Sequence, residues 1–298
     1  MKILDAIETE IINKNLAIVT SYDLFIMLCD LYHTKRFAGH HLRTKKPFPD
    51  FLDLSRYRNQ LLDKNFLVRE SSFSDLLRLR TVGPHKIAEH TVCYVDPFCY
   101  LSHLSAMERY SITNRSPKML ILTTPNQNLW RKLRIHKMSK DYQRFSIPPE
   151  KQFTLKRQRI PSPLSKRDLC WKRVKEVGTF IQERNSGVRV ASIGQTFLDT
   201  LLHPELCGDM SHVMQVWEEH AEIYLEEIIE ALDSAPTKIA KVRAGYLLQE
   251  VCGLNHPRIE HWRSYAQRGS SSKLDPHQPF SSTFSETWSL SINCQSAG

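Results

Sequence analysis

Glycine is scarce, ten residues in 298, and the ten never assemble into G-x-G-x-x-G or a P-loop. Both loops need glycine so that the backbone can approach phosphate closely, so nucleotide-dependent enzymes of those classes are excluded. The seven cysteines (Cys29, Cys93, Cys99, Cys170, Cys207, Cys252 and Cys294) contain no C-x-x-C pair. A zinc ribbon or finger wraps one ion with closely paired ligands, and a disulfide framework needs a secreted context. Most of the cysteines therefore read as reduced, buried thiols. No uncharged apolar run approaches the roughly 18 residues of a membrane span. The first ten residues carry Asp5, Glu8 and Glu10 and no apolar stretch with a small-residue cleavage site, so no secretory signal is expected. These absences together predict a soluble, cytoplasmic protein with no membrane association, no metal and no cofactor.

Two catalytic patterns are also missing. Metal-dependent nucleases commonly place a carboxylate two residues before a lysine so that both project from one strand, and no lysine here has Asp or Glu at that offset. Ser102, His103 and Ser105 are adjacent, but serine-hydrolase elbows need flanking glycines that are absent, and an orienting third group is not apparent. They read as locally bonded helix residues. His40 and His41 sit in a basic loop and read as solvated or near phosphate, and His203 before Pro204 reads as a helix-ending turn. The expectation is a binding protein and not an enzyme.

What is abundant is positive charge, unevenly placed. The total is +9 from 41 Lys and Arg against 32 Asp and Glu. Residues 115–175 hold 17 basic residues against Asp141, Glu150 and Asp168, or +14. Residues 1–82 hold 13 against 10 (+3), 83–114 hold 2 against 3 (−1), and 176–298 hold 9 against 16 (−7). A basic middle with an acidic tail points to a polyanion partner for part of the chain.

Apolar spacing in the head predicts three helices. Ile3, Leu4, Ile7, Ile11 and Ile12 make the first apolar stripe. Thr20 or Ser21 caps a second helix through Leu24, Phe25, Leu28, Leu31 and Tyr32, and Asp50 or Asp53 caps a third through Leu54, Tyr57, Leu61 and Leu62. Residues 66–69 and 77–80 then read as two strands joined by a turn. Three helices followed by a hairpin is the order of a winged helix-turn-helix, assigned to residues 1–83, although the segment between the second and third helices exceeds the usual turn. In that arrangement the third helix enters the major groove. Arg pairs bidentately with guanine and Asn or Gln with adenine, so Ser55, Arg56, Arg58, Asn59 and Gln60 are the candidate base readers. Lys35, Arg36, Arg43, Lys45, Lys46, Arg78 and Arg80 are candidates for phosphate contacts, which position without specifying. A solvated helix face, in a module that binds protein instead, is the alternative.

The remainder, 84–298, is expected to be a larger mixed α/β domain, making the whole chain α+β. A helix is expected from Pro97 to Tyr110, and strands at 118–124, 145–147, 153–155, 158–160 and 188–192. The basic part at about 115–192 is thus read as β-containing. Arg131, Lys132, Arg134, Lys137, Lys156, Arg157 and Arg159 are a possible second basic face. An acidic helical part follows at about 195–254. One stripe runs from Val213 to Leu232 opposite Glu218, Glu219, Glu222, Glu226, Glu227 and Glu230. A second helix lies between Pro236 and Gly253, and a last strand forms near Trp288 and Leu290.

Several of these segments resemble the AbiEi family, antitoxins of type IV toxin-antitoxin and abortive-infection (phage-defence) systems. They are YLSHLSAMERY at 100–110 with the strand at 119–124, SIGQTFLD at 192–199 running into LHPELCG at 202–208, RAGYLLQE at 243–250, and KLDP at 273–276 with SETWSLSIN at 285–293. The resemblance spans 89–293, and the head agrees in type with the winged helix of family members. It implies an antitoxin domain at 84–298 and a transcriptional regulator that binds inverted repeats in operator DNA, as a possible homodimer, and represses its own operon. It also implies an antagonist of a nucleotidyltransferase-like toxin, neutralised either by docking on the acidic helices or without stable contact. A nuclease of a defence system and a non-catalytic winged-helix adaptor are the competing readings.

Overall fold

The computed structural model describes residues 1–44, 46–81, 88–184, 186–267 and 272–294. The chain divides into two compact units, Met1–Cys99 with Pro125–Asp168, and Tyr100–Thr124 with Leu169–Gly298. The sequence boundary at 83/84 lies outside the described residues, and the border between the units falls elsewhere: a segment of more than forty residues from the middle of the chain folds with the head.

The first unit begins with α1 (Ile3–Asn13), β1 (Ile18–Val19) and α2 (Ser21–Thr34). Thr20 starts α2 through a capping box, its Oγ1 accepting from the Asp23 N–H at 3.2 Å while its own N–H donates to Asp23 Oδ2 at 2.9 Å. The long segment before the third helix contains a small hairpin, β2 (Arg36–Phe37) with β3 (His40–His41). Asp50 and Asp53 form the same reciprocal cap at the start of α3 (Phe51–Asp63). β4 (Leu67–Arg69) and β5 (Leu77–Leu79) pair antiparallel, and β1 joins the other side of β5, giving the order β1-β5-β4. α4 (Ala88–Val95), absent from the sequence reading, closes this stretch.

The chain then contributes β6 (Tyr100–Leu101), α5 (His103–Arg109) and β7 (Met119–Pro125) to the second unit. The helix expected from Pro97 is therefore shorter and starts later. Tyr100 and Leu101 pair with Thr123 and Leu122, and that pairing holds them extended. The chain returns to the first unit as α6 (Gln127–Tyr142), capped by Asn126 Oδ1, which accepts from the Leu129 N–H at 3.0 Å.

Here three of the strands expected in the basic middle are corrected, while those expected at 118–124 and 188–192 are present as strands Met119–Pro125 and Arg189–Ala191. Residues 131–140 are helical, and 145–147, 153–155 and 158–160 form no strand. The alternation there is real, but it serves an extended chain laid on a core. Phe145, Ile147 and Leu155 are buried beside Phe25, Leu28, Leu61 and Leu67, together with Trp130 and Tyr142 of α6. The Phe153 ring centroid lies 5.8 Å from that of Phe25 and 5.9 Å from that of Phe51. Pro148, Pro149, Pro161 and Pro163 remove backbone donors that a ladder would need.

The second unit continues with β8 (Asp168–Val174), β9 (Phe180–Gln182) and β10 (Arg189–Ala191). They complete a mixed sheet of order β8-β7-β6-β10-β9, in which β10 runs parallel to β6 with Val190 opposite Leu101. The helices are α7 (Ile193–Leu202), α8 (Met210–His220), α9 (Leu225–Ser234), α10 (Lys238–Tyr246), which runs into a π turn at Leu247–Val251, and α11 (Pro257–Trp262). The stripe expected to run unbroken from Val213 to Leu232 is divided between α8 and α9. The last strand of the sequence reading is a hairpin, β11 (Phe284–Ser285) with β12 (Leu290–Ser291). Trp217, Phe197, Trp262 and Trp288 fill the core of this unit. The whole is a mixed α+β protein, and among the described residues no helix is long and apolar enough to cross a membrane.

α7 and α9 touch at Gly194, where a Cβ would run into the carbonyl oxygen of Glu227 and meet the Ala231 side chain. Gly194→Ala should lower stability by about 1–3 kcal/mol from overpacking, seen as a lower urea midpoint, despite the better helix propensity of alanine. An unchanged midpoint would mean that the two helices part freely.

Candidate nucleic-acid interface

α3 buries Leu54 and Leu61 and turns Ser55, Arg56, Asn59 and Gln60 outward. The pairs 55/59 and 56/60 are four residues apart, so these four share one face. Arg58, the fifth expected base reader, is half-buried and leans the other way, its Nη1 3.3 Å from Ser21 Oγ at the start of α2. Its buried Nε has no hydrogen-bond partner.

The N-terminus of α3 carries an alternating charge chain. Lys46 Nζ donates to Asp50 Oδ2 at 2.6 Å and to Asp53 Oδ2 at 3.0 Å, and Arg56 Nη2 donates to Asp53 Oδ1 at 2.8 Å. The Arg56 guanidinium also lies 4.7 Å from the Tyr57 ring centroid. The Lys46 ammonium and the Asp53 N–H hold the Asp50 carboxyl down at about 2. Lys46 Nζ and Arg56 Nη2 are thus engaged at the start of α3, while the rest of the Arg56 guanidinium keeps further donors.

Of the other expected phosphate contacts, Lys35, Arg36 and Arg43 are exposed around the β2–β3 hairpin, with Arg36 Nη2 3.4 Å from His41 Nε2. Lys45 lies outside the described residues. Arg80 is exposed just beyond β5, whereas the Arg78 side chain is 16% exposed and its Nε is 3.5 Å from Glu70.

The possible second basic face separates into two groups. Lys137 and Arg157 tie the returned segment down. Lys137 donates to Asp141 at 2.9 Å, which also accepts from Tyr22 Oη at 2.8 Å. Arg157 donates to the Pro125 carbonyl at 3.2 Å and lies 5.8 Å from the Trp130 ring centroid. Arg134 is half-buried with an unpartnered Nε. Arg131, Lys132, Lys156 and Arg159 are exposed and make no ion pair among the described residues.

The consequence is a partition of charge by unit. The first unit holds 26 Lys and Arg against 15 Asp and Glu, a net +11, and the second 15 against 17, a net −2. Twelve of the 17 basic residues of the middle share a unit with the three-helix head. A field of that sign raises the local concentration of a polyanion and speeds its capture.

No family model and no curated protein matches this chain. Its fold has a likeness to the crystal structure of the RV2827C protein from Mycobacterium tuberculosis, at 12% sequence identity and a TM-score of 0.47, covering 96% of this chain and 89% of that one.

Sequence reasoning missed α6 as an element. Its signals were present: Asn126 as a cap, then Trp130, Leu133, Arg134, Lys137 and Met138 with their side chains inward at helical spacing, and Arg131, Lys132, Ile135 and His136 exposed. It also passed over Phe51 and Leu52, 47% and 78% exposed at the start of α3. Groups of three or more metal-ligating side chains are absent among the described residues.

Proposed function

We propose that the protein binds double-stranded DNA through its first unit as a winged helix-turn-helix. In this reading α3 is the recognition helix, the β4–β5 hairpin is the wing, and α6 with 156–159 extends the phosphate contacts. The observation that carries the reading is the assembly of a net +11 in the unit that also bears the exposed Ser55, Arg56, Asn59 and Gln60 face. The three helices followed by a hairpin, in the element order α1-β1-α2-β2-β3-α3-β4-β5, and the sheet order β1-β5-β4 support it further. Together with the resemblance of the second unit's segments to AbiEi antitoxins, this supports a non-enzymatic, cytoplasmic antitoxin. Such a protein binds inverted repeats in its operator, represses its own operon and counteracts a nucleotidyltransferase-like toxin.

The test is selection of binding sequences from a random duplex pool, followed by anisotropy titration. Arg56→Ala with Asn59→Ala and Gln60→Ala should remove about 1–3 kcal/mol of discrimination for each base pair they read, while non-specific affinity changes little. A selected sequence bound equally by wild type and triple variant would remove α3 from the base-reading role. Deletion of the protein should raise transcription from its own promoter, and co-expression should restore growth of cells carrying the neighbouring toxin gene.

A further inference from the structure

The second unit contains a cleft of about 570 Å³ between the sheet and helices α7 and α9. That volume suits a small molecule. On its floor two buried side chains each present a polar atom without a partner, His103 Nε2 and Asp199 Oδ2. His103 Nδ1 is 2.8 Å from Ser102 Oγ, which accepts from Thr123 Oγ1 at 2.8 Å. In the tautomer in which Ser102 gives its own proton to Nδ1, the neutral ring carries its N–H on Nε2, which is then a donor. Burial, followed by the nearby His203 and Lys172, pushes the His103 pKa down to about 3, so the ring is neutral. The residue also holds a φ of +52°, a conformation uncommon for a side chain of this size.

Asp199 uses Oδ1 to accept from Gln195 Nε2 at 2.8 Å and leaves Oδ2 unengaged. Its burial raises the carboxyl to about 7, so it keeps its proton below neutral pH and is itself a donor there. Lys172 supplies the positive charge. Its Nζ lies 3.3 Å from His203 Nδ1, and that nitrogen is also 3.1 Å from Glu205 Oε1. One nitrogen cannot accept from Lys172 and donate to Glu205 at once, and donation to Glu205 leaves the ammonium available. The first turn of α7, with Ser192, Ile193 and Gly194, borders the same cleft and adds the positive end of its dipole.

Two neutral donors and one charged one, His103 Nε2, Asp199 Oδ2 and Lys172 Nζ, thus belong to residues that line the same cleft. Val174, Val177, Leu198, Leu202 and Pro236 provide an apolar wall beside them, while exposed Glu176, Glu227 and Glu230 border the opening. The apolar wall calls for a ligand with an apolar body. The acidic border repels a polyanion, so nucleic acid is the wrong occupant. We infer that this cleft binds a small organic acid, its carboxylate or phosphate seated on Lys172 Nζ and His103 Nε2 and its apolar body along the wall. The cleft lies wholly in the second unit, and the inference does not depend on DNA binding.

Titration calorimetry on the full chain tests it, with benzoate and phenyl phosphate as probes and benzamide and benzyl alcohol as their uncharged counterparts. At least one acid should bind in the millimolar range or better, about tenfold or more tighter than its uncharged counterpart. Lys172→Met should lose that preference, because a charge-assisted hydrogen bond is removed. Glu227→Gln with Glu230→Gln should act in the opposite direction and tighten the acid a few-fold, which a misfolded variant would not do. The inference is overturned if neither acid binds at about 10 mM, or if an amide or alcohol binds as well as its acid. It is equally overturned if Lys172→Met leaves acid binding unchanged.

Discussion

Replacing Arg131, Lys132 and Lys156 together with Glu is expected to lower affinity for any duplex by about two to three orders of magnitude at low salt. The same variant should reduce the slope of log affinity against log salt by about three, since each neutralised phosphate contributes about 0.9. These residues are chosen because they are exposed and unpaired, in contrast to Lys137 and Arg157, whose loss would loosen the attachment of the segment itself. The control is an equal change of charge elsewhere. Lys118→Glu, Lys175→Glu and Arg184→Glu reverse three exposed cations of the second unit. If the charge works only through the net value of the molecule, both variants weaken binding alike. If the footprint is on the first unit, the control retains nearly the full slope. Anisotropy titrations at several salt concentrations separate the two, and an unaltered slope in the first variant would take α6 and Lys156 out of the interface.

The sequence made the head legible because its elements are local. α1, α2 and α3 each carry an apolar stripe, and the last two carry a cap box that periodicity and spacing disclose. β4 and β5 are adjacent strands joined by a short turn. The attachment of 125–168 to that head was not legible, since it depends on Trp130, Tyr142, Phe145 and Leu155 finding Phe25 and Leu61 about a hundred residues away. Alternation at 145–147 and 153–155 gave the right inward residues and the wrong partner: periodicity reports which side is buried, not what covers it. The cleft failed for a related reason. Ser102 and His103 stand together in the sequence, but Thr123 comes from β7, Lys172 from β8 and Asp199 from α7. A lone Ser-His pair without its third group is properly read as local structure. Only the convergence of those elements leaves His103 Nε2 and Asp199 Oδ2 without partners.

Asp199→Asn should make the protein more stable relative to wild type as pH rises, by of the order of 4 kcal/mol between about pH 4 and pH 7. The sign follows from proton counts. Asp199 titrates at about 7 in the folded chain, against an ordinary 3.8. Between those values the folded state holds a proton that the unfolded state has released. This group's contribution is thus complete below the unfolded pKa and lost as pH rises through the folded one. His103 runs in reverse, about 3 when folded against 6.5 ordinarily, so its contribution is complete above 6.5 and lost as pH falls. In the window both share, the unfolded pair binds one proton on histidine and the folded pair binds one on aspartate. The two slopes cancel, and wild type hides both. Each single variant exposes the other residue. Asp199→Asn leaves the histidine slope, so the variant loses stability on acidification. His103→Asn, chosen because asparagine tolerates the positive φ, leaves the aspartate slope, so that variant loses stability as pH rises. Other groups are common to all three proteins and drop out of the differences. Urea unfolding across the window would show two difference curves of opposite slope. Parallel curves would mean that Asp199 is ionised or His103 charged in the folded cleft, and the floor would then not be the set of neutral donors beside Lys172 that the geometry describes.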